Sequence, residues 1–148
     1  MNPILSFERV TGEKDQVSEL YELLRKKKYP ISHKVLPTFR EHSQFVANNP
    51  YRAWYLIGLN KTYIGAVYIL KNNCIGLSLT LQTQAILAEC LSFILKKYKP
   101  LKEIKSFRAP HFHINISAND KKFASQLKKL GAIEMQTTYN IEPIFLKE

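Results

Sequence analysis

The chain has 148 residues, of which 45% are hydrophobic and 23% are charged, and this composition predicts one globular domain, residues 1–148, with a single core. Charges interrupt every apolar run before it reaches the length of a membrane span, and the first ten residues lack the order of a signal peptide. We therefore expect a cytoplasmic protein without a membrane partner. The net charge of +10 suits nucleic acid, anionic lipid headgroups or a polyanionic cofactor, and a solvated lysine-rich exterior explains it equally well. Nucleic acid is a minor hypothesis, because no aromatic residues interleave the basic runs.

The first third of the chain predicts one strand and two helices. Residues 4–10 alternate in hydrophobicity and predict a strand. Residues 14–28 repeat apolar side chains at helical spacing, with acidic residues early and basic residues late, and predict a helix. Pro37 is expected in the first turn of the second helix. The buried face of that helix would carry Phe39, His42, Phe45 and Val46.

The middle of the chain predicts three antiparallel strands followed by a helix. Residues 51–59, 62–70 and 74–80 are rich in β-branched and aromatic side chains and are separated by short turns. Residues 83–98 then repeat apolar side chains at helical spacing. The last strand runs into this helix with almost no loop, and the free amides of a helix N-terminus in that position suit a phosphate.

The last third predicts a strand within residues 103–116, a helix from Asn119 to a stop at Gly131, and two short closing strands. The full order is β-α-α-β-β-β-α-β-α-β-β, and the strand–helix–strand unit around residues 83–98 implies one parallel pair. The fold class is therefore α/β in layers, with a mixed, mostly antiparallel sheet flanked by helices. Its edge strands would permit a homodimer.

No metal or redox site is predicted. Cys74 and Cys90 lack the spacing of a metal or redox pair, and we interpret both as core residues. His111 and His113 lie two apart on a predicted strand and so share a face, but two ligands without a third make a poor zinc site. The cysteines and histidines therefore indicate no metal centre.

Three phrases of the sequence resemble those of a known family. The phrase YLIGLNKTYIGAVYILKNNCIGLSL resembles the central meander of the GNAT superfamily of acyl-CoA-dependent N-acyltransferases. FHINISANDKKFASQLKKLGA resembles its second signature, a strand followed by a helix that ends in a leucine–glycine pair. ISHKVLPTFREHSQFVANNPYRAWYLI is similar to a bacterial subgroup associated with amino sugars and surface polysaccharides. The resemblance spans nearly the whole chain and implies an acetyl-CoA-dependent N-acetyltransferase.

The resemblance also implies where the cofactor binds. In the family, a backbone amide in a gap between the fourth and fifth strands stabilises the developing oxyanion, and here that amide would belong to Leu77 or Leu79. The pyrophosphate of CoA rests on amides at the start of the next helix, and we name this segment, residues 82–87, the phosphate cradle. The implied cofactor contacts are Leu77, Leu79, Gln82, Thr83, Gln84, Ala85, Ile86, Leu87, Asn119 and Lys122.

Two departures from the family pattern bear on activity. Ala85 and Leu87 stand where the family has glycines, and Leu87 would crowd a phosphate unless its side chain turns into the core. Leu127 stands where the family has a tyrosine that protonates the leaving thiolate, and a leucine cannot donate a proton. Either Tyr98, Tyr139 or water serves as the acid, or the chain is a binding or regulatory module that no longer uses CoA.

The acceptor side is assigned through the first two helices, which form the lid over the amine in the family. His33 or His111 would serve as general base, because the pKa of an unperturbed histidine lies near neutral pH; simple packing is the alternative for either. His42, Tyr51 and Arg52 would contact the substrate. The predicted reaction transfers an acetyl group to a primary amine of a small molecule, with an amino sugar as one candidate.

Overall fold

The structure, a computed structural model, describes residues 4–28 and 35–141. Five strands and four helices follow one another in this part of the chain: β1 (Leu5–Arg9), α1 (Lys14–Lys26), α2 (Phe39–Ala47), β2 (Ala53–Leu59), β3 (Thr62–Ile69), β4 (Cys74–Leu79), α3 (Gln84–Lys97), β5 (His113–Ile114) and α4 (Lys121–Lys129). The first nine predicted elements are thus present in the predicted order. The two predicted closing strands are not formed by residues 132–141, and residues 142–148 lie outside the described part.

The strands form one sheet in the order β1-β2-β3-β4-β5. Strands β1 to β4 pair antiparallel, and the turn between β2 and β3 places Asn60 and Lys61 at φ angles of 50° and 65°, which suit a tight hairpin turn. Strands β4 and β5 are parallel, with Cys74 opposite His113, because α3 carries the chain back across the sheet. The mixed, mostly antiparallel layered fold is therefore confirmed.

Helices cover both faces of the sheet. One core lies beneath α1 and α2 and contains Val17, Leu20, Leu23, Val46, Trp54, Leu56 and Ala66. The other lies beneath α3 and α4, and its fully buried members are Ile57, Val67, Ile69, Leu87, Cys90 and Ile94. Strand β4 therefore runs between two helical layers. None of the helices in the described residues is long and apolar enough to cross a membrane.

Helix α2 begins two residues after Pro37. The Thr38 hydroxyl accepts a hydrogen bond from the Glu41 amide at 3.2 Å, and the Glu41 carboxylate accepts one from the Thr38 amide at 3.2 Å. This capping box fixes the start of the helix, so Pro37 precedes the cap instead of occupying the first turn. Four side chains were predicted on the buried face of this helix. His42 and Val46 are buried, whereas Phe39 and Phe45 are exposed.

Candidate active site

Strands β4 and β5 separate into a gap at the C-terminal end of β4. Their pairing is confined to Cys74 and Ile75 on β4 and to His113 and Ile114 on β5, whereas β4 continues to Leu79. No strand of the described residues lies beside residues 76–79 on this side. The sheet is therefore closed at the start of β4 and open at its end.

The backbone direction along β4 decides which amides face this gap. The Cys74 carbonyl accepts a hydrogen bond from the amide of Leu70, directly after β3, at 2.8 Å, and the Thr80 amide donates one to the Ile64 carbonyl of β3 at 2.7 Å. Even-numbered residues of β4 therefore face β3, and the alternation of an antiparallel ladder turns odd-numbered residues toward β5. The N–H groups of Leu77 and Leu79 thus point into the open part of the gap, on the side where the sequence predicts the oxyanion donor.

Helix α3 begins at the open end of the gap, and Thr83 caps it. The Thr83 hydroxyl accepts a hydrogen bond from the Ile86 amide at 3.2 Å, and its carbonyl accepts one from the Leu87 amide at 3.0 Å. These two amides are already hydrogen-bonded to Thr83, so the amides of Ile86 and Leu87 are not the first candidates for binding a phosphate. The amides of Gln84 and Ala85 occupy the first two helical positions, outside the intrahelical ladder, where donors suit a phosphate.

The bulky side chains of the phosphate cradle point away from it. Leu87 is 0% exposed and Ile86 is buried, and both pack in the core beneath α3. The Leu87 side chain therefore turns into the core and does not crowd a phosphate at the start of α3. Ala85 is exposed, and its single methyl group still permits a close approach to the backbone. The cradle thus fits an anionic group without glycine.

A glutamine of α4 joins that helix to the cradle. Gln126 Oε1 accepts a hydrogen bond from Gln82 Nε2 at 2.8 Å, and Gln126 Nε2 donates one to the Gln82 carbonyl at 2.8 Å. Gln84 Nε2 donates to the Gln126 carbonyl at 3.0 Å. We name these three residues the glutamine clamp. Gln82 therefore uses its side chain to hold α4.

Sequence reasoning missed the glutamine clamp, although a signal was present. Gln126 lies between Phe123 and Leu127 on the apolar side of α4 and is buried. A buried polar side chain needs a hydrogen-bond partner, so a glutamine on the inner face of a helix indicates a specific contact. Its partner could not be identified before the fold placed α4 beside the cradle.

The first turn of α4 lies close to the end of α1. Asp120 caps α4 by accepting a hydrogen bond from the Phe123 amide at 3.1 Å, and the predicted contacts Asn119 and Lys122 are exposed. Burial lowers the pKa of Lys27, and the nearby Asp120 carboxylate opposes this effect. Lys27 is therefore within electrostatic range of the Asp120 carboxylate at the start of α4, which the basic run of the sequence did not reveal.

An aromatic wall covers β4 on the α1/α2 face. Tyr68 of β3 lies opposite Gly76, and a Cβ at Gly76 would overlap the Tyr68 ring, so glycine is needed for this close packing. Tyr51 stacks on Tyr68 with ring centroids 4.2 Å apart, and Trp54 meets Tyr51 edge-on at 4.8 Å. The aromatic wall (Tyr51, Trp54 and Tyr68) therefore lies one residue along β4 from Leu77.

The phenols of the wall stay neutral at physiological pH. Burial raises the pKa of Tyr51 and of Tyr68, because a phenolate loses its hydration there. Among the predicted substrate contacts, Tyr51 is the one that packs beside β4. Sequence reasoning missed Tyr68 and Gly76, although a glycine inside a strand often marks such a close approach.

Arg52 and Tyr98 lie at the other end of α3. Arg52 Nη1 donates a hydrogen bond to the Lys99 carbonyl at 2.8 Å, and its guanidinium group lies over the Tyr98 ring. Helix α3 rises about 20 Å between the cradle and this end. The structure therefore does not bring Arg52 or Tyr98 to the open gap.

His111 lies beyond the closed end of the β4–β5 pair. It precedes β5, whose first residue, His113, is opposite Cys74 at the start of β4, so the structure does not bring His111 to the open gap. Burial lowers the pKa of His113, and the neighbouring His111 lowers it further. The two histidines form a local pair, and no group of three potential metal ligands occurs in residues 4–28 and 35–141.

The remaining predicted residues are dispersed. His42 is buried in α2 and its ring lies 5.4 Å from that of Tyr21, which supports a packing role. Tyr139 is exposed on the segment after α4 and is not placed in the gap. His33 lies outside the described residues, so its role stays a prediction.

Solved structures share this fold over nearly the whole chain. A possible acetyltransferase from Clostridium difficile 630 has a TM-score of 0.60 at 7% identity and covers 94% of this chain and 97% of its own. The Campylobacter jejuni N-acetyltransferase PseH, in complex with acetyl coenzyme A, has a TM-score of 0.55 at 11% identity, over 90% and 92%. The aminoglycoside N-acetyltransferase AAC(6')-Iy, in complex with CoA, has a TM-score of 0.57 at 9% identity, over 96% of each chain.

These likenesses concern the fold, because the identities are low. No protein-family model matches the sequence, and no curated protein matches it. The strand order and the parallel β4–β5 pair agree with the resemblance drawn from the sequence phrases. The chain has the GNAT acetyltransferase fold.

Proposed function

We propose that the chain is an acyl-CoA-dependent N-acetyltransferase that acetylates the primary amine of a small molecule. The observation that carries this proposal is the gap between β4 and β5, into which the N–H groups of Leu77 and Leu79 point. The phosphate cradle begins within a few residues of these amides. Two structures with this fold hold acetyl coenzyme A or CoA, so a ligand of that class is the first to test.

The residues of the cradle fit a pyrophosphate. The amides of Gln84 and Ala85 are the uncommitted donors of the α3 N-terminus, where the helix dipole favours an anion. Leu87 packs inward and leaves the approach open. Lys122 adds an exposed positive charge on the first turn of α4, which the glutamine clamp holds against the cradle. When bound there, acetyl-CoA would supply the thioester whose acetyl group is transferred.

The chain would contribute position and hydrogen-bond donors to the transfer. The Leu77 or Leu79 amide would donate to the thioester oxygen as negative charge develops on it, and the aromatic wall would hold the amine close by. Leu127 packs as a hydrocarbon against the core beneath α3 and α4 and has no proton to donate. Solvent would therefore protonate the departing sulfur.

The aromatic wall favours a cationic or amino-sugar acceptor. Aromatic faces attract cations, and the neutral phenols of Tyr51 and Tyr68 can donate and accept hydrogen bonds. One structure with this fold is an aminoglycoside N-acetyltransferase, which makes amino sugars the first acceptor class to test. Lys27, with its lowered pKa, joins the predicted His33 as a candidate base.

Calorimetric titration with acetyl-CoA and CoA tests the cradle. The wild-type chain should bind both, and Ala85→Glu should abolish binding, because its carboxylate would repel the phosphates while a glutamate is well suited to the first turn of a helix. Leu95→Glu is the matched control, since it adds the same charge at an exposed position near the other end of α3. A folded wild-type chain that binds neither ligand at low or high salt would overturn the proposal.

Amide-to-ester replacement tests the oxyanion donor. Cys74 offers a native ligation point just upstream, so Leu77 or Leu79 can be replaced by its hydroxy acid, which removes one N–H group and little else. At one of these positions the loss of the donor should lower kcat by about 10²-fold to 10³-fold. The same replacement at Ser78, whose N–H faces β3, is the control and should reduce stability without that loss of kcat.

A second candidate is a binding or regulatory module with this fold. Two observations favour it: Leu127 cannot act as an acid, and Gln82 is held by Gln126. Release of CoA thiol in the presence of a broad panel of amines distinguishes the candidates. Turnover with any amine supports the enzyme, whereas a folded chain that neither binds CoA nor turns over any amine of the panel supports the module.

A further inference from the structure

Basic side chains lie together at the closed end of the sheet. The strand pairing places the end of β1, the start of β2 and the turn between β3 and β4 at this end. Helix α3 ends here too, since Arg52 Nη1 donates a hydrogen bond to the Lys99 carbonyl, and Arg108 Nη1 joins the loop after α3 by donating to the Lys71 carbonyl at 3.1 Å. We name this surface the basic pole; it consists of Arg9, Arg52, Lys71 and residues 96–108.

The charges of the basic pole are not balanced by acidic residues. Residues 96–108 contain five lysines and one arginine but a single carboxylate, that of Glu103. Within the described residues, no carboxylate forms a salt bridge with a cation of the pole. Arg52 and Arg108 donate to backbone carbonyls instead, and Arg9 donates to the Tyr98 hydroxyl at 3.4 Å. The pole therefore keeps its positive charge and attracts an anionic partner.

A hairpin loop, residues 104–108, presents apolar side chains within this positive surface. The Ile104 carbonyl accepts hydrogen bonds from the Phe107 and Arg108 amides at 3.0 and 2.8 Å, and the Ile104 amide donates to the Arg108 carbonyl at 2.9 Å. Ser106 completes the turn in the left-handed region, at φ 65°, which costs a non-glycine residue some free energy. Phe107 is 74% exposed and Ile104 is 46% exposed, so the turn holds two apolar side chains in solvent.

Side-chain hydrogen bonds fix the hairpin loop to the rest of the fold. Arg108 Nε donates to the Lys102 carbonyl at 2.7 Å, and Asn73 Nδ2 donates to the Leu101 and Ala109 carbonyls on either side of the loop at 3.0 and 2.8 Å. A loop that is already ordered gives up little conformational entropy when it binds. The outward position of Phe107 and Ile104 therefore suits a binding surface.

Cations around exposed apolar side chains suit the surface of an anionic bilayer. Lysine and arginine are attracted to anionic headgroups, and apolar side chains enter the boundary between headgroups and acyl chains. Nucleic acid is the other common polyanion, but its single strands bind by stacking on successive aromatic rings. In the pole, Phe107 is the one largely exposed aromatic side chain, and Ile104 has no ring. A bilayer therefore uses both the charge and the apolar pair, whereas a nucleic acid uses mainly the charge.

We propose that the basic pole docks the chain onto membranes rich in anionic phospholipid, with Phe107 and Ile104 entering the headgroup region. The sequence led us to expect no membrane partner because no apolar run can span a bilayer, but binding at the surface requires no span. Helix α3 rises about 20 Å between the phosphate cradle and the pole, so the open gap stays accessible in the docked chain. This inference goes beyond the proposed function and does not depend on it.

Co-sedimentation with vesicles tests the docking. The wild-type chain should bind vesicles of equal parts phosphatidylcholine and phosphatidylglycerol, should not bind pure phosphatidylcholine, and should be released by high salt. Lys102→Gln/Lys105→Gln should bind about 30-fold more weakly, because each cation near an anionic surface contributes a factor of about five. Its control, Lys128→Gln/Lys129→Gln, removes the same charge from the exposed end of α4 and should keep most of the affinity.

Two further variants test the apolar contribution. Phe107→Ser should weaken binding about tenfold, whereas Ile133→Ser, at a position that is 83% exposed, should bind like the wild type. In Phe107→Trp, brominated phospholipid should quench the new indole. Trp54, the one tryptophan of the chain, is buried in the aromatic wall and should not be quenched in the wild type.

Three results would overturn the proposal. The first is a wild-type chain that does not bind the phosphatidylglycerol vesicles at low salt. The second is an equal loss of affinity in the two lysine variants, or none in Phe107→Ser, which would show attraction by net charge alone. The third is tighter binding to single-stranded DNA than to these vesicles at equal phosphate concentration, which would make nucleic acid the partner. Because the substituted side chains are exposed, wild-type urea midpoints should verify that each variant is folded.

Discussion

The two ends of strand β4 are built in opposite ways. At its start, backbone and side-chain hydrogen bonds join the strand to β5 and to the loop that precedes β5. At its end, β4 is no longer paired with β5, and its backbone donors face an open gap. Buried backbone groups need partners, so a sheet that separates at one end must be held firmly at the other. The comparison indicates that the gap at the end of β4 is maintained because β4 and β5 are fixed to each other at the start of β4.

Asn73 organises the closed end. It is 0% exposed, and its Oδ1 accepts a hydrogen bond from the Leu101 amide at 2.7 Å. Its Nδ2 donates to the carbonyls of Leu101 and Ala109 at 3.0 and 2.8 Å, and its backbone carbonyl accepts from the His113 amide at 3.1 Å. One residue thus fastens the long loop before β5 and sets the alignment of β5 with β4.

The open end is held by side chains and leaves the backbone unused. The glutamine clamp fixes α4 beside the cradle through amide groups of Gln82, Gln84 and Gln126. The main-chain donors of the gap and of the first turn of α3 take no part in it. Variants at each end should therefore behave differently, those at the closed end in stability and those at the open end in ligand binding.

The largest effect is expected at Asn73. Asn73→Ala removes the three side-chain hydrogen bonds to the backbone of Leu101 and Ala109 and should lower the free energy of unfolding by about 3 kcal/mol, measured by urea denaturation. Asn72→Ala is the matched neighbour, because it removes a single hydrogen bond, to the Cys74 amide, and should cost about 1 kcal/mol. Equal losses in the two variants would mean that Asn73 does not organise this end.

A smaller loss is expected where the aromatic wall meets the strand. Gly76→Ala forces a methyl group against the Tyr68 ring and should lower the free energy of unfolding by about 2 kcal/mol. In the Tyr68→Ala background the same substitution should cost much less, because the ring is gone. A double-mutant cycle without coupling between the two sites would contradict this packing.

The glutamine clamp should affect binding more than folding. Gln126→Met removes both side-chain hydrogen bonds to Gln82, so the cradle loses its support from α4, and acetyl-CoA should bind about tenfold more weakly, or about 1.4 kcal/mol, by calorimetry. Ser125→Ala, an exposed neighbour on the same helix, should leave the affinity unchanged. If the affinity is unchanged in Gln126→Met as well, the clamp does not position the cradle.

The smallest effect concerns the pH dependence of the closed end. Because the pKa of His113 is lowered in the folded chain, the imidazole of His113 binds a proton more readily in the unfolded chain. Stability should therefore fall as the pH drops below about 6.5, the ordinary histidine value, and the fall should end below the native pKa. Urea midpoints measured across this range should show a shallower pH dependence in His113→Gln.

His111→Gln provides the control for this pH effect. It removes one of the two causes of the lowered pKa, since His111 acts on His113 by charge repulsion. The pKa of His113, followed by NMR, should then move part of the way toward its ordinary value. A pKa of His113 that does not respond to this change would mean that burial acts alone.

Local patterns predicted the fold because they depend on neighbours along the chain. The alternation and turns of residues 51–80 and the amphipathic spacing of α1, α3 and α4 identify strands and helices without knowledge of their partners. Pro37 was predicted in the first turn of α2 but lies two residues before the helix, because the capping box of Thr38 and Glu41 decides the start. Two closing strands were predicted as well, but residues 132–141 form no strand, and residues 142–148 lie outside the described part.

The candidate site was less predictable because it depends on distant contacts. The direction of the Leu77 and Leu79 amides depends on how β4 pairs with its neighbouring strands, and the family resemblance supplied that pairing. Gln126, Lys27 and Tyr68 became visible only when separate elements were placed side by side. Arg52 was chosen because a guanidinium group suits an anionic acceptor, but residue type does not fix position, and its side chain contacts the far end of α3.

The cradle achieves its shape without glycine, and this bears on how a ligand would enter it. A glycine has more backbone conformations than other residues, so its ordering costs more conformational entropy. Gln84 and Ala85 have fewer accessible conformations, so the ordering of this segment costs less. Thr83, the glutamine clamp and inward-facing Leu87 then hold one arrangement before any ligand arrives. Binding should accordingly require little rearrangement, with the same backbone conformation in the free and bound states.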